Sequence, residues 1–540
     1  MLIPDYTDKR LLIVDDQADM RSLLREQVSQ LAIDKVSTAT NVREALDHLK
    51  RQRFDIILCD YHLGGSTDGQ QMLEFLRSRR LVSRATLFIM VTAEKGYEGV
   101  VTAAESLPDD YLLKPFTAEA LRLRIDRLLA KKARLAGIDR MQDRGHWPDI
   151  VGACDEIIAA NDKYLLDALG IKGNALLMSQ QPEHAVQLYR QQLAIRPLPW
   201  AKLGLARALL AIGEHVEAKE TLNAILVENP RFMVAYDTLS QVHAKEGNAA
   251  EALKILERAR EVSPNSLARH RAIAQAAEDM GDYARVEQAL SAVVKRTHFS
   301  PLREASDHSR LANALTELGE PAKAVEVLAE AKREFKEGTD ARLLAAVEAV
   351  AQRKVGNDAL AEQALTRALT GGTQKLPEVV ALTVAKACLV HGRQAEGESL
   401  LKTVIQNEHE AVTLHTRVAG LMRAFGDPLH GKEFIEASLQ EIYQLNNDAI
   451  AKGRAGDLAA ASKMLADAAN RLPNNLLIVS NAAYALLTDV LANGLDAAKW
   501  REGQRFEQAV LARNQRHPRL GEIADLIAKI RSKYHLAETP

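Results

Sequence analysis

Asp15, Asp16 and Asp60, together with Thr92 and Lys114, are residue types that can manage a phosphoryl group if a fold brings them to one place. Clustered carboxylates repel one another, which raises their pKa values. A hard divalent cation relieves that repulsion, and Mg²⁺ prefers a few carboxylate and carbonyl oxygens plus water. A hydroxyl and an ammonium facing the metal can hold the oxygens of a transferred phosphoryl group. In such a cluster Asp60 is the nucleophile and forms an aspartyl-phosphate. Taken singly, each residue has an ordinary reading: a turn carboxylate pair, a strand-end hydroxyl, a solvated lysine. Only convergence makes them a site.

The surrounding pattern supplies that convergence. RLLIVDD (10–16), KVSTAT (35–40), FDIILCD (54–60), TLFIMVTAE (86–94) and DYLLKPF (110–116) read as short strands. Helical patterns alternate with them at 18–31, 41–52 (with Asn41 as N-cap), 69–80, 96–106 and 117–129. Five strands alternating with five helices imply an α/β parallel sheet covered on both faces. In such sheets chemistry gathers at the carboxyl ends of the strands, near the point where strand order reverses. Asp15, Asp16, Asp60, Thr92 and Lys114 all fall at strand ends.

The set VDD (14–16), LCD (58–60), VTA (91–93) and YLLKPF (111–116), in this order and spacing, resembles the receiver domain of bacterial response regulators over about residues 8–130. The resemblance implies a flavodoxin-like fold. It also implies that Asp16 and Asp60 ligate Mg²⁺ directly with the backbone carbonyl of His62, while Asp15 acts mainly through a metal-bound water. Thr92 and Lys114 would contact the phosphoryl group, and Tyr111 would swing inward as Thr92 moves. His62 and Glu94 would tune phosphoryl lifetime, and the Lys114–Pro115 bond would be cis, an arrangement cheap only before proline. One departure stands out. The family usually has a proline about four residues after the phosphorylated Asp and a glycine eight after it. Here Gly64 and Gly65 occupy the region and Gly69 lies nine after Asp60, so the loop is one residue longer. This implies altered loop dynamics rather than a lost site. No second His or Cys has the spacing to make His62 a transition-metal ligand.

At 540 residues the chain exceeds one hydrophobic core. The remainder carries an internal repeat. Gly213 is followed by Ala218, Leu222, Ile225 and Pro230, and Gly247 by Ala252, Leu256, Ala259 and Pro264. Gly456 leads to Ala461, Leu465, Ala468 and Pro473, and Ala185, Tyr189 and Pro197 fit the same frame. Weaker copies begin at Gly145, Gly281, Gly319, Gly356, Gly392 and Gly426. A helical pair of about 34 residues with small residues at these places resembles the tetratricopeptide repeat (TPR). The expected organisation is a receiver at 1–130, an all-α TPR solenoid at 131–475 and closing helices at 476–540 that cover the last repeat. A continuous helix around 117–144 would join the first two parts. Its face of Leu121, Ile125, Leu128, Leu135 and Ile138 would pack on the receiver, on the repeats or on a second copy. Lys131, Lys132 and Arg134 read as a solvated turn.

Composition excludes several classes. Net charge is −2, and no basic recognition helix follows residue 130, which argues against a DNA-binding regulator. No GGDEF-like, HD-type or kinase motif is visible in 131–540, so no enzymatic output is expected. The positions at which chaperone adaptors clamp a peptide tail hold Gly170, Asn174, Gly204, Val234 and Thr238, and only Asn174 fits. Three cysteines without a CxxC pair, no signal pattern and no stretch of about 18 apolar residues point to the cytoplasm. The resulting expectation is a phosphorelay response regulator. A histidine kinase or phosphotransfer domain would phosphorylate Asp60, and the repeats would bind or release a protein partner. A homodimer through the last strand and helix of the receiver is a further expectation. The alternative is a phosphate sink or a phosphorylation-independent scaffold.

Overall fold

The structure is a computed structural model, and it describes residues 6–64, 67–93, 108–298, 300–372, 376–425, 430–514 and 517–536. Glu94, Gly65, Gly426 and the helix expected at 96–106 lie outside these residues. The chain divides into two compact units, Met1–Asp307 and His308–Pro540.

The first unit opens with a five-stranded parallel sheet: β1 (Arg10–Val14), β2 (Lys35–Ala39), β3 (Ile56–Asp60), β4 (Leu87–Thr92) and β5 (Asp110–Leu113). The order is β2-β1-β3-β4-β5, the flavodoxin-like arrangement, whose switch point lies between β1 and β3. Successive residues of a strand face opposite ways, and the core divides accordingly. Leu11, Ile13, Ile56, Leu58, Ile89 and Val91 pack with α1 (Ala18–Ser29) and α4 (Ala118–Arg144). Leu12, Val14, Ile57, Cys59, Phe88 and Met90 pack with α2 (Val42–Arg51) and α3 (Gly69–Ser78). Both faces are therefore covered, which is why these strands are continuous apolar runs rather than alternating ones. Caps fix the helix starts: the Asn41 side chain accepts from the Glu44 backbone N–H, and Asp68 and Gln71 form a reciprocal capping box.

Helix α4 runs unbroken for 27 residues and ends at Gly145 in the left-handed conformation. Its apolar face has two partners. Leu121, Ile125 and Leu128 lie in the sheet's core, whereas Leu135 and Ile138 pack with Ile150, Cys154, Ile157 and Ala168 of the following helices. The basic residues on α4 are not a solvated turn. They are helical and ion-paired: Lys131 with Asp167, Lys132 with Asp109 at 2.6 Å, and Arg134 with Asp162 at 2.7 Å.

From Trp147 to Tyr534 every described element is a helix, α5 to α25. Glycines 213, 247, 281, 319, 356, 392 and 456 each take positive φ between two helices, the conformation glycine adopts at least cost. The small and apolar repeat positions are core: Ala218, Leu222, Ala252, Leu256, Ala461 and Leu465 are all buried. One helix differs from the two-helix frame. α21 (His430–Arg454) spans 25 residues without a break before Gly456. The expectation of no membrane-length apolar stretch also needs correction. α23 (Leu476–Asn493) is 18 residues long with a mean hydropathy of 1.4, though 56% of it is buried within the protein. Its buried face includes Asn481 and Asp489, polar groups that neighbouring helices satisfy: Asn481 donates to Asn446, and Asp489 accepts from Ser462 and pairs with Lys499.

The sheet region touches the repeats within the first unit by a route other than α4. Thr67 Oγ1 donates to Ser300 Oγ at 2.7 Å, and both are buried. Gln71 Nε2 donates to the Asn265 carbonyl at 2.9 Å. Phe75 packs on Leu267, Val293 and Leu302. The face of α3, following directly on the loop after Asp60, therefore lies against α12 (Leu267–Asp279) and α13 (Tyr283–Thr297).

Candidate functional site

Hydrogen-bonded register brings the five strand-end residues to one edge of the sheet. β1 and β4 flank β3, so the ends of these three strands and of β5 line up. Carboxylate oxygens of Asp15, Asp16 and Asp60 lie within 4.8 Å of one another. Asp15 is fully buried and Asp60 is 6% exposed, whereas Asp16 opens to solvent. Lys114 Nζ stands 3.2 Å from Asp15 and 3.3 Å from Asp60, inserted between two buried carboxylates. Thr92 is fully buried at the end of β4, and its carbonyl accepts from the Lys114 backbone N–H at 2.7 Å. The Lys114–Pro115 peptide bond is cis.

Electrostatics follow from that crowding. Burial pushes the Asp60 carboxyl above its ordinary value, Lys114 opposes the shift, and the Asp15 charge adds to it. Burial likewise pushes the neighbouring Cys59 thiol well up, so it behaves as an apolar core group rather than as a nucleophile. Three oxygen donors with one open to solvent suit a hard cation that keeps part of its water shell, as Mg²⁺ does. The donor set therefore fits the metal.

Three supporting features were not apparent from residue type. The Gln17 backbone N–H donates to Asp15 Oδ1 at 2.9 Å, and Arg21 donates to the Asp15 carbonyl at 2.8 Å, which fixes the turn after β1. Gly64 has φ +62°, and a Cβ there would fall 2.1 Å from Asp16 Oδ2. The glycine that replaces the usual proline region therefore lets the loop pass directly over a candidate metal ligand. A Cβ on Gly69 would meet the Asp60 carbonyl at 2.3 Å, so the start of α3 is pressed against the candidate nucleophile's own backbone. Of the remaining expected residues, His62 is exposed and its ring meets Tyr61 edge-on at 4.9 Å. Tyr111 is half-buried and packs against the core beneath α2 and α3.

Comparison with known proteins finds similarity in two regions of the chain. Residues 11–126 match the response regulator receiver domain, and residues 176–241 and 243–303 match the tetratricopeptide repeat. Chemotaxis protein CheY-3 of Vibrio cholerae is 29% identical over 122 residues, which is 23% of this chain and 92% of that protein. Chemotaxis protein CheY of Pseudomonas aeruginosa is 29% identical over 122 residues, 97% of its length. Among solved structures, Vibrio cholerae CheY4 aligns with 26% identity over 22% of this chain and 98% of its own, with a TM-score of 0.21. A tetratricopeptide repeat protein from Parabacteroides merdae aligns with 16% identity over 47% of this chain and 96% of its own, with a TM-score of 0.32. The chain thus carries a receiver domain at its N-terminus, followed by tetratricopeptide repeats.

Proposed function

We propose that this protein is a cytoplasmic phosphorelay response regulator in which Asp60 accepts a phosphoryl group and the repeats bind or release a protein partner in response. The convergence of Asp15, Asp16, Asp60, Thr92 and Lys114 at one end of the sheet carries this reading. Mg²⁺, held by Asp16 and Asp60 with the His62 carbonyl and by Asp15 through water, would supply charge neutralisation for the phosphoryl oxygens. An Asp60 carboxylate oxygen attacks phosphorus, and the bond to the phosphodonor's leaving group breaks. The Lys114 ammonium exchanges its carboxylate partners for a phosphoryl oxygen, and the Thr92 hydroxyl takes another. Tyr111 follows Thr92 inward. His62 and Glu94 set how long the product survives attack by water. No further reaction is assigned to the repeats.

The chain that follows Asp60 meets the repeats at the buried Thr67–Ser300 bond. That bond and the Gln71 bond contribute about 1 kcal/mol each, and the half-buried Phe75 contributes about 2 kcal/mol. Their sum lies below the roughly 5.5 kcal/mol needed to turn a two-state equilibrium from 1:99 to 99:1. Loss of this contact alone would therefore shift such an equilibrium without fully inverting it. The proposal divides the chain into a receiver at 1–130, repeats at 131–475 and closing helices at 476–540. A second copy would pair through β5 and the outer side of α4, where Leu123 is 58% exposed.

A small-molecule phosphodonor with Mg²⁺ should add one phosphate to the wild type and none to Asp60→Asn. Equal modification of the two proteins removes the assignment. Partner capture by wild type, by Asp60→Asn and by phosphorylated protein then separates a switch from a phosphate sink or a constitutive scaffold, for which all three capture alike.

A further inference from the structure

At the opposite end of the sheet from Asp60, a cavity of about 600 Å³ opens beside the amino ends of β3 and β4. Its wall carries six arginines: Arg53 ahead of β3, Arg77 in the last turn of α3, Arg80 and Arg84 in the connection to β4, and Arg140 and Arg144 at the end of α4. Asp143 is the lining carboxylate, and it is already engaged by the Ser83 hydroxyl at 2.7 Å and by the Arg84 backbone N–H. Arg77 is mostly buried, donates to the Ser83 carbonyl at 2.7 Å, and lies 4.0 Å from Asp109. No ion pair is made by Arg53, Arg80, Arg140 or Arg144 among the described residues.

Exposed arginines are usually a solvated face, but one observation sets this group apart. The positive charges come from four separate segments and share one concave volume, so each raises the electrostatic cost of the others. One of these arginines, Arg80, has φ +53°, a positive value shared by Ala32, Asn161 and Gln180 at the ends of other helices. It closes α3 in a Schellman arrangement, with Arg80 N–H on the Arg77 carbonyl and Leu81 N–H on the Leu76 carbonyl, at the position where helices ordinarily place glycine. A left-handed arginine incurs strain that glycine would avoid. An anion seated in the cavity would relieve the repulsion among the guanidinium groups.

We propose that this cavity is a binding site for an oligophosphate anion, separate from the phosphoacceptor site. Guanidinium forks match phosphate oxygens in pairs, and 600 Å³ is the size of a small-molecule site. Trp147, half-buried on the same wall, offers an aromatic face for a base, so nucleoside di- and triphosphates and free polyphosphate share the recognised chemistry. The ligand would bridge receiver segments and the end of α4, where the first repeat begins.

The test is titration of the full-length protein with ATP, GTP and inorganic tripolyphosphate, followed by calorimetry and tryptophan emission. Wild type should bind, and Arg140→Glu combined with Arg144→Glu should weaken binding at least tenfold. Lys463→Glu combined with Lys529→Glu, an equal charge change at exposed positions elsewhere, should leave binding unchanged. Arg80→Gly removes a cation while relieving the left-handed strain, so binding should weaken about tenfold with the melting temperature held or raised. Asp60→Asn should bind like the wild type, which keeps this site's fate distinct from that of the phosphoacceptor. A nucleotide that changes Trp147 emission, with the change lost in Trp147→Phe, assigns the site to nucleotides. Equal affinity for tripolyphosphate without that change assigns it to the phosphate chain. Absence of binding by all three probes, equal loss in the lysine control, or full affinity in Arg80→Gly overturns the proposal. Tighter binding of a short single-stranded oligonucleotide than of any of the three also overturns it, in favour of a nucleic-acid surface.

Discussion

Asp60 is held where its charge is costly, with Asp15 behind it and Lys114 as its compensation. Its folded-state pKa lies above the ordinary 3.8, so the native protein keeps the proton more readily than the unfolded chain. The stability linked to that proton is complete below the ordinary value and is lost as pH rises through the folded one. Without divalent metal, Asp60→Asn should therefore be more stable than wild type at neutral pH. The gap in melting temperature should shrink toward pH 4, and millimolar Mg²⁺ should raise the melting temperature of wild type more than that of the variant. A melting series with pH and Mg²⁺ as variables checks both. Gly64→Ala probes the loop. Its Cβ would collide with Asp16, so Mg²⁺ affinity measured by tryptophan or calorimetric titration should fall about tenfold or more, with the sheet intact.

Among elements, α3 has two tasks. One face covers the sheet and the other meets α12 and α13 through Thr67, Gln71 and Phe75. Thr67→Val would remove the Thr67 donor and leave the Ser300 oxygen only the Leu302 N–H, at a cost of about 1 kcal/mol. Together with Phe75→Ala it should free this contact. Amide exchange should then accelerate at 265–302, while β1 and β3 keep their protection. Unchanged exchange in the double variant would show that the contact does not hold α3 to the repeats. Helix α4 contributes differently. Because one unbroken helix buries its first half in the sheet's core and its second half against Ile150, Cys154, Ile157 and Ala168, rotation of that helix at the receiver must be felt in the helices that carry those residues.

Across the whole molecule, each repeat rests on its neighbours, so a buried polar link at one place stabilises helices on either side. Asp489 on α23 is such a link. Burial works against its charge, yet Lys499 at 2.7 Å, Asn493 and Ser462 together hold the carboxyl below its usual range. A depressed carboxyl stabilises the fold above the unfolded value and loses that contribution as pH falls through the folded one. Asp489→Ala would remove the carboxylate that Ser462, Asn493 and Lys499 share and cost about 1 kcal/mol. It should lower the melting temperature near neutral pH, with the deficit narrowing under acid. The same helix is apolar and of membrane length, yet 56% of it is buried within the protein, where these polar groups find partners.

Local pattern alone carried the sheet, its strand ends and the repeats. Strand runs such as FDIILCD are dictated by burial on both faces, and the recurrence of glycine, alanine and leucine is dictated by close helix packing. Asp15, Asp16, Asp60, Thr92 and Lys114 were legible for the same reason, because strand ends in a parallel sheet share one edge. Tertiary structure decided whatever depends on residues remote in sequence: Gly64 above Asp16, Thr67 against Ser300, and six arginines from four segments around one cavity. No periodicity encodes such meetings. They arise only when packing fixes which faces of separate helices and loops are left to touch.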